Sequence, residues 1–342
     1  ASGTRRSLRP ASSIGRRQGV DTESWPFRAG RLQRKTVRSI PHHSNYPLEW
    51  LVSMKNARSI SVCIPARNEA RTIGPIVRAV SSELVSATGL VDEIVVVDDG
   101  SCDATASVAR DAGARVVLAQ SGPTSPAPSS ASSPRSRGQA GPDGCGKGSA
   151  MWTAMLESTG DILVFCDADI VDFDIRFVTG LLGPLLEEED ASLVKGSYRR
   201  PLGAEGTGGG RVTELMARPL IQLLFPHLAF VRQPLAGETA ARREILEQVP
   251  FSKGYGVEIA LLIDVANLCG PSSIAQVDLD VRTHRNRSLE ELSLQATEVL
   301  LAALSRCPQS AVQRGASVHA NADPLPILAD FPGYWRKRVQ AR

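Results

Sequence analysis

Two aspartates that could bind a divalent cation lie near the middle of the chain, at the end of an apolar stretch. Asp167 and Asp169, separated by Ala168, directly follow residues 162–166, whose apolar character predicts a buried strand. In an open α/β sheet, ligands bind beyond the carboxyl ends of the strands. Carboxylate oxygens suit Mg²⁺ or Mn²⁺, and such a cation suits a diphosphate. An isolated pair of this kind also fits a turn with solvated acids, since turns favour aspartate.

Polar residues also follow two earlier predicted strands. The strand over residues 60–64 leads into the run from Pro65 to Glu69, and the strand over residues 93–97 leads into Asp98-Asp99-Gly100-Ser101. Parallel strands bring such ends to one edge of the sheet. A nucleotide could therefore lie across them, with its base at these two ends and its diphosphate at the aspartate pair.

Two further features could bind anions. Lys147 stands between two glycines at a predicted helix start, where it can meet a diphosphate as a point charge helped by the helix N-terminus. A solvated lysine in a flexible loop is the alternative. The glycine run 208–210 precedes Arg211 and Thr213, so main-chain N–H groups, a guanidinium and a hydroxyl could bind a phosphate together. A plain flexible turn is the alternative there.

The elements that must position these residues alternate between strand and helix. This alternation predicts an α/β fold with a mostly parallel, Rossmann-like sheet flanked by helices. The regular pattern weakens after about residue 195. The predicted strands cover 60–64, 93–97, 114–118, 161–166, 192–195 and 275–281. The predicted helices cover 69–85, 147–158, 175–186 and 289–305, and two more are predicted to begin after Asp103 and near Arg211.

The composition of the 342-residue chain is that of an ordinary globular protein, with 42% hydrophobic and 22% charged residues. The net charge of +3 comes from residues 1–40, which hold ten basic and two acidic residues. The remainder is slightly acidic, so charge gives no reason to expect nucleic-acid binding. No apolar run is long enough to span a bilayer. The six cysteines form no C-x-x-C pair, which favours a reducing compartment, and we therefore expect a cytoplasmic protein.

Taken together, the strand-end motifs resemble those of the GT-A nucleotide-sugar glycosyltransferases. The resemblance rests on P-A-x-N-E at residue 65, V-V-D-D-G-S at residue 96, G-K-G at residue 146 and D-A-D at residue 167. Residues 194–201, 208–215, 254–259 and 284–287 resemble the glucosyl-3-phosphoglycerate synthases of actinobacteria, and the likeness covers about residues 58–307. The related mannosyl-3-phosphoglycerate synthases share much of this pattern.

The resemblance implies a role for each candidate residue. Asp169 and His284 would bind the metal, and Asp167 would contact the ribose or the metal. The phosphoglycerate would be bound by Gly210, Arg211, Thr213 and Asn286. Asp169, Lys147 and Glu258 would be the catalytic residues. The implied donor-binding residues are Pro65, Ala66 and Glu69 for uracil and ribose, Asp99 for the base, Lys147, Asp167, Ala168 and Arg282 near the diphosphate, and Tyr255 and Glu258 for the sugar.

The resemblance also implies an activity and an organisation. The expected reaction transfers glucose from UDP-glucose to 3-phosphoglycerate with retention, using Mg²⁺ or Mn²⁺, in a homodimer; it would be the first step of methylglucose lipopolysaccharide or glucosylglycerate synthesis. Glu238 and Glu258 are both possible carboxylates near the sugar. The expected division is a basic, poorly ordered extension over 1–57, a nucleotide-sugar-binding half over 58–200, an acceptor-binding half over 201–307 and an irregular tail over 308–342. A Ser/Pro-rich loop covers 120–146.

Three alternatives remain open at this point. The same fold could use GDP-mannose. The chain could be a sugar- or nucleotide-binding regulatory module without turnover, although its intact Asp169, His284 and Lys147 argue against this. A membrane-associated inverting polysaccharide synthase is disfavoured by the lack of spanning helices.

Overall fold

A sheet of seven strands lies at the centre of the described chain. The computed structural model describes residues 39–121, 144–200, 210–283 and 288–307, together with Leu328. The described residues from Ile40 onwards belong to one unit, Ile40–Arg342. The strands are β1 (Ile60–Ala66), β2 (Glu93–Asp98), β3 (Arg115–Leu118), β4 (Ile162–Phe165), β5 (Leu193–Arg199), β6 (Thr239–Arg242) and β7 (Ile274–Val281). Their order across the sheet is β3-β2-β1-β4-β6-β5-β7.

Six of these strands run in the same direction. β1 pairs in parallel with β2 and β4, β2 with β3, and β5 with β7, whereas β6 runs antiparallel between β4 and β5. The carboxyl ends of β1, β2, β4, β5 and β7 therefore meet at one edge of the sheet, and β6 begins at that same edge. The predicted α/β class with a mostly parallel sheet is confirmed.

Both faces of the sheet are buried by helices, as the near-continuous apolar strands predict. Along β4, Leu163 and Phe165 pack on one face while Ile162 and Val164 pack on the other. The helices are α1 (Leu48–Lys55), α2 (Ile73–Ala79), α3 (Thr105–Asp111), α4 (Lys147–Glu157), α5 (Arg176–Glu187), α6 (Arg218–Leu224), α7 (Arg243–Leu246), α8 (Val257–Cys269) and α9 (Leu289–Leu304). Helices α4, α8 and α9 cover the first face, and α1, α2, α3 and α5 cover the second.

Strand β1 continues through Pro65 to Ala66, two residues beyond its predicted end at residue 64. The register pairs Pro65 with Val97 of β2, whereas pairing with β4 ends at Cys63. The carbonyl of Cys63 accepts from Cys166 N, so the backbone of Pro65, two residues on, faces the same side beyond the end of β4. The missing N–H of proline therefore removes no ladder hydrogen bond there.

The region before residue 57 is more structured than its sequence suggests. We expected residues 1–57 to be poorly ordered, but residues from 40 onwards contradict this, because they include α1 and bury Tyr46 and Leu51. The ring of Tyr46 lies over Gly183 of α5, where a Cβ atom would come within 2.2 Å of it. The amphipathic signal was missed because α1 is only eight residues long.

Several predictions fall outside the described residues or are not tested by them. Residues 122–143, most of the Ser/Pro-rich loop, and all of the tail except Leu328 lie outside. The division near residue 200 stays a prediction; strands from both sides of it share the one sheet. In the part of the chain that the structure describes, no helix is both long and apolar enough to cross a membrane.

Candidate active site

The predicted site residues converge on one cavity at the carboxyl edge of the sheet. Its volume is about 280 Å³. His284 and Asn286 lie outside the described residues, so their predicted roles are not tested. All the other predicted site residues line the cavity, namely Pro65, Ala66, Glu69, Asp99, Lys147, Asp167, Ala168, Asp169, Gly210, Arg211, Thr213, Tyr255, Glu258 and Arg282.

The aspartate pair follows the end of β4, as predicted. The carboxylate of Asp167 lies directly over the backbone of Gly237, which precedes β6. A Cβ atom at residue 237 would come within 2.3 Å of both carboxylate oxygens. Any side chain there would push Asp167 out of the site, so the glycine is required by this close approach.

Lys147 lies between two carboxylates at the start of α4. Its Nζ atom is 2.5 Å from Asp167 Oδ1 and 2.6 Å from Glu258 Oε1. Burial disfavours the ammonium form, but the charges of Asp167 and Glu258 outweigh burial and raise the pKa of Lys147 above its ordinary value. The side chain therefore acts as a fixed positive charge rather than as a base.

Arg282, which follows β7, contacts three carboxylates. Its Nη2 atom lies 2.8 Å from Asp167 Oδ2 and 2.9 Å from Asp169 Oδ1, and its Nε atom lies 3.0 Å from Glu238 Oε1. The guanidinium is only 2% exposed. Burial alone would lower the pKa of Arg282, but the surrounding carboxylates, Glu238 first, raise it. Burial would likewise raise the pKa of Asp167, but Lys147 and Arg282 hold it well below its usual range.

Glu238 and Lys195 form a buried layer behind the cavity. Glu238 is fully buried, and among the described residues neither of its carboxylate oxygens has a hydrogen-bond partner, because the 3.0 Å approach to Arg282 Nε lacks hydrogen-bond geometry. Lys195 Nζ donates to Ala236 O at 2.6 Å and to Thr239 Oγ1 at 3.0 Å. Burial lowers the pKa of Lys195 to about 8. Lys195 is not among the residues predicted for the site, because a single lysine within a predicted strand gives no sign that it is buried.

Arg200, which was not among the predicted site residues, also lines the cavity. Arg200 follows β5, and its Nη2 atom donates to Tyr198 Oη at 2.7 Å while its guanidinium lies 4.8 Å from the centre of the Tyr198 ring. Arg282 packs on the same ring at 5.5 Å. The Arg199-Arg200 pair at a strand end was the available signal. The ring thus positions two guanidinium groups beside the aspartate pair.

Asp99 holds the loop that precedes Lys147. Its Oδ1 atom accepts from Cys145 N at 2.5 Å and its Oδ2 atom accepts from Gly146 N at 3.0 Å. Burial raises the pKa of Asp99. Both oxygens are thus engaged by the main chain, which gives the residue a positioning role that the sequence did not suggest, alongside its predicted contact with the base.

The first turn of α4 packs against the loop before α8. The N–H groups of Gly148 and Ser149 donate to the carbonyls of Gly254 and Lys253, at 3.2 and 2.9 Å. A Cβ atom on Gly148 would lie 1.6 Å from the carbonyl oxygen of Ser252, so only glycine fits. These two N–H groups are already hydrogen-bonded, so they do not bind the diphosphate as expected. Of this helix start, the Lys147 side chain is therefore the main group that remains for the diphosphate.

The described part of the predicted acceptor turn, from Gly210 onwards, also lines the cavity. Gly210 has a φ of +78°, a left-handed conformation that favours glycine, and Thr213 is buried. Arg211 lies between them on the cavity wall. Helix α9 contributes Leu292, Gln295 and Val299 to the cavity, which its amphipathic pattern alone does not predict.

The cavity therefore places positive and negative groups side by side. Lys147, Arg200, Arg211 and Arg282 suit phosphate groups, whereas Asp167, Asp169 and Glu258 suit a cation and sugar hydroxyls. This combination fits a sugar nucleotide together with an anionic second substrate.

Comparison with known proteins gives consistent matches. The family described as Glycosyl transferase family 2 matches residues 61–234. The chain is 45% identical over 274 residues to the glucosyl-3-phosphoglycerate synthase of Mycolicibacterium smegmatis, covering 78% of this chain and 84% of the relative.

Two solved structures share the fold. The first is glucosyl-3-phosphoglycerate synthase from Mycobacterium tuberculosis in complex with Mn²⁺, UDP-glucose and phosphoglyceric acid, with 44% identity, a TM-score of 0.65, and coverage of 77% of this chain and 84% of that one. The second is mannosyl-3-phosphoglycerate synthase from Rubrobacter xylanophilus, with 35% identity, a TM-score of 0.69, and coverage of 82% and 84%.

Proposed function

The chain belongs to glycosyl transferase family 2 and, within it, to the glucosyl-3-phosphoglycerate synthases, and from this membership we propose that it transfers glucose from UDP-glucose to 3-phosphoglycerate. The product is glucosyl-3-phosphoglycerate, formed with retention at the anomeric carbon. The observation that carries the proposal is the convergence of Asp167, Asp169, Lys147 and Glu258 on the cavity that Arg211 and Thr213 also line.

The donor set of this cavity fits Mg²⁺ or Mn²⁺. Asp167 and Asp169 present hard carboxylate oxygens that share one Arg282 nitrogen, so their carboxylates lie close together. We propose that Asp169 holds the cation, with Asp167 beside it and His284 as a further ligand. A cation bound there supplies positive charge that stabilises the departing diphosphate.

Side chains of the cavity would bind the diphosphate, the sugar and the acceptor. Lys147 keeps its proton and adds a fixed charge near the diphosphate. Glu258 binds sugar hydroxyls, with Tyr255 beside it on the cavity wall. Arg211, Thr213 and Asn286 hold the phosphate of the acceptor, so its hydroxyl is positioned at the anomeric carbon.

Neither of the two candidate carboxylates is well suited to act as a protein nucleophile, and this agrees with retention without one. Glu238 is fully buried against Arg282 and is not among the residues that line the cavity. Glu258 does line it, but its Oε1 atom is 2.6 Å from the protonated Lys147, and this pairing lowers its nucleophilicity. We therefore propose substitution at the same face of the sugar by the acceptor itself.

A panel of sugar nucleotides tests the proposal. With 3-phosphoglycerate and Mn²⁺, UDP-glucose is expected to give a kcat/KM at least about tenfold above that of GDP-mannose or UDP-galactose, since each correct pocket contact contributes discrimination of that order. Nucleoside diphosphate release measures the rate, and NMR of the product gives the anomeric configuration. EDTA is expected to abolish release.

Each other result of the panel supports a different hypothesis. A preference for GDP-mannose would establish the mannosyl alternative, in keeping with the likeness to the mannosyl-3-phosphoglycerate synthase structure. No release from any donor, combined with nucleotide binding, would establish the regulatory module. Full activity in EDTA would overturn the metal assignment.

The acceptor assignment is tested at Arg211. Arg211→Ala is expected to raise the KM for 3-phosphoglycerate about tenfold or more, because charge-assisted hydrogen bonds contribute about 1.5–3 kcal/mol. The KM for UDP-glucose should change little, and Arg211→Lys should recover only part, since a point charge does not replace the planar fork. Steady-state kinetics with each substrate varied measures both constants.

Arg218→Ala is the matched control for Arg211. Arg218 lies seven residues further along, pairs with Glu214 at 3.1 Å and is not among the cavity-lining residues. Its replacement should leave both KM values within about twofold, as for ordinary surface changes. A rise in the donor KM alone for Arg211→Ala would move the acceptor phosphate away from this turn.

Location and assembly complete the proposal. All six cysteines are free, including the buried Cys63 and Cys166, which fits a reducing compartment and therefore the cytoplasm. We also propose a homodimer, which analytical ultracentrifugation would detect directly.

A further inference from the structure

Two adjacent histidines and an aspartate come together away from the cavity. His42 Nε2 lies 3.0 Å from Asp280 Oδ1, and His43 Nε2 lies 2.9 Å from Asp280 Oδ2. One nitrogen from each histidine and one oxygen from the aspartate all lie within 4.8 Å of one another. Within the described ranges, this is the one group of three such side chains with metal-ligand spacing.

The backbone at this point turns both rings to the same side. Adjacent side chains alternate in a strand and diverge around a helix, so neighbours in sequence rarely reach the same atom. Here His42 is extended, with φ −83° and ψ 145°, and caps the 3₁₀ turn His43–Asn45. The ring centres are consequently 4.3 Å apart, with both Nε2 atoms directed at one carboxylate.

The surrounding packing holds this arrangement in place. The carbonyl of Pro41 accepts from Asp278 N at 2.8 Å, which fixes the histidine segment alongside β7. His43 packs on Gly180 of α5, where a Cβ atom would come within 2.9 Å of the His43 Cβ. Ligands that are already positioned lose little freedom when they bind an ion, so the cluster is preorganised.

Asp280 is also fixed and charged. Its φ of 66° lies in the left-handed region, and its N–H donates to Asp278 Oδ1 at 3.0 Å. Its side chain is 43% exposed, and an aspartate in water loses its proton well below pH 7. The carboxylate is therefore ionised at neutral pH, as a metal ligand must be.

The ring of His42 has a partner on its far side. Its Nδ1 atom lies 2.8 Å from Ser44 Oγ. The backbone N–H of Ser44 also donates to this Nδ1 atom at 3.3 Å, which places the ring proton on Nε2 against Asp280, and that proton must leave when Nε2 binds a metal. Such partners orient the imidazole ligands of metal sites.

From this geometry we propose that His42, His43 and Asp280 form a second metal site, which binds Zn²⁺ or a similar borderline divalent ion. Two imidazole nitrogens and one carboxylate oxygen favour Zn²⁺ over Mg²⁺ or Mn²⁺. Zn–N and Zn–O bonds are about 2.0–2.2 Å, so the ligand atoms need only small shifts to surround one ion. The histidine and aspartate side chains are 22–43% exposed, which leaves access for the ion and for a water as fourth ligand.

Zinc titration of the full chain without an affinity tag tests this proposal. Isothermal titration calorimetry of the Asp169→Asn variant, which lacks the main ligand of the catalytic cation, is expected to give one Zn²⁺ per chain. His43→Asn and Asp280→Asn, each added to that background, should weaken the Kd at least about tenfold, because losing a ligand costs at least as much as losing its supporting partner. Asparagine also tolerates the left-handed backbone at residue 280.

The matched control is His227→Asn. His227 is exposed in a 3₁₀ turn elsewhere, so its loss should leave the Kd unchanged. With Co²⁺ as the probe, the visible absorption spectrum should show an intense low-coordinate band that His43→Asn removes. Activity with Mn²⁺ should survive in His43→Asn, since this residue does not line the cavity.

Two results would overturn the proposal. If Zn²⁺ uptake disappeared with Asp169→Asn alone, or persisted in both His43→Asn and Asp280→Asn, the ion would bind at the catalytic site or at a thiol. If the parent chain took up no Zn²⁺, the three residues would serve only as a hydrogen-bonded clamp between the turn and β7.

Discussion

Replacing Arg282 by methionine is expected to lower the free energy of unfolding by about 3–5 kcal/mol, because it leaves buried carboxylates without their counter-charge. Asp167, Asp169 and the fully buried Glu238 all lose the same guanidinium. Transfer activity should fall below detection in the same variant. Urea unfolding at pH 7 measures the loss of stability, and nucleotide release measures the activity.

The loss of stability should depend on pH in a defined direction. In the parent, the pKa of Asp167 is lowered on folding, so its stabilising effect is present above its unfolded pKa and is lost as the pH falls. Without Arg282 the freed carboxylates are expected to have raised pKa values, which stabilises the variant as they become protonated. The difference between parent and variant should therefore shrink between pH 7 and about pH 4.

Two control variants distinguish charge from packing at residue 282. Arg282→Lys retains the charge and should recover part of the stability. Arg232→Met removes an exposed arginine and should change the free energy of unfolding by less than about 0.5 kcal/mol. If Arg282→Met lowered the free energy of unfolding by less than about 1 kcal/mol, water would be solvating these carboxylates sufficiently without the guanidinium.

Replacing Asp169 by asparagine is expected to lower kcat at least about 100-fold, comparable to removing one main electrostatic stabiliser of a transition state. The substitution keeps the shape of the side chain but removes the charge that pairs with Arg282 at 2.9 Å and that would hold the cation. Single-turnover measurement of nucleotide release with saturating Mn²⁺, UDP-glucose and 3-phosphoglycerate gives the rate directly.

Asp172→Asn is the control for this substitution. Asp172 is exposed, lies three residues further along the same loop and is not among the residues of the cavity wall. Its kcat should stay within about twofold of the parent, as for most surface changes. An Asp169→Asn enzyme that kept more than a tenth of its rate would argue that the cation is held elsewhere.

Most of the site could be predicted because parallel strands end at a common edge. That rule alone brings Pro65, Asp99, Asp167 and Arg282 together once their strands are recognised, and the structure places all four on the cavity wall. The comparisons confirm the GT-A assignment that the strand-end motifs suggested. The roles assigned to individual residues remain predictions.

Part of what could not be predicted follows from strand β6. Strand β6 reads Thr-Ala-Ala-Arg, four residues with no apolar alternation, so the sequence gives no strand signal there. Because β6 runs opposite to its neighbours, its start rather than its end reaches the cavity edge and brings Glu238 behind Arg282. Lys195 depends on the same strand, because its Nζ atom donates to Thr239 Oγ1 at 3.0 Å.

The position of β6 also decides when the chain can fold. β5 pairs only with β6 and β7, so nothing joins it to β4 until residues 239–242 are available. A fragment ending near residue 200 would expose the edge of β4 and leave β5 without a partner, and open edges of this kind promote aggregation. The sheet therefore closes late in synthesis, through contacts between residues far apart in sequence, and such topologies fold slowly. The predicted division near residue 200 therefore does not separate two units of folding, because strands from both sides of it share the one sheet.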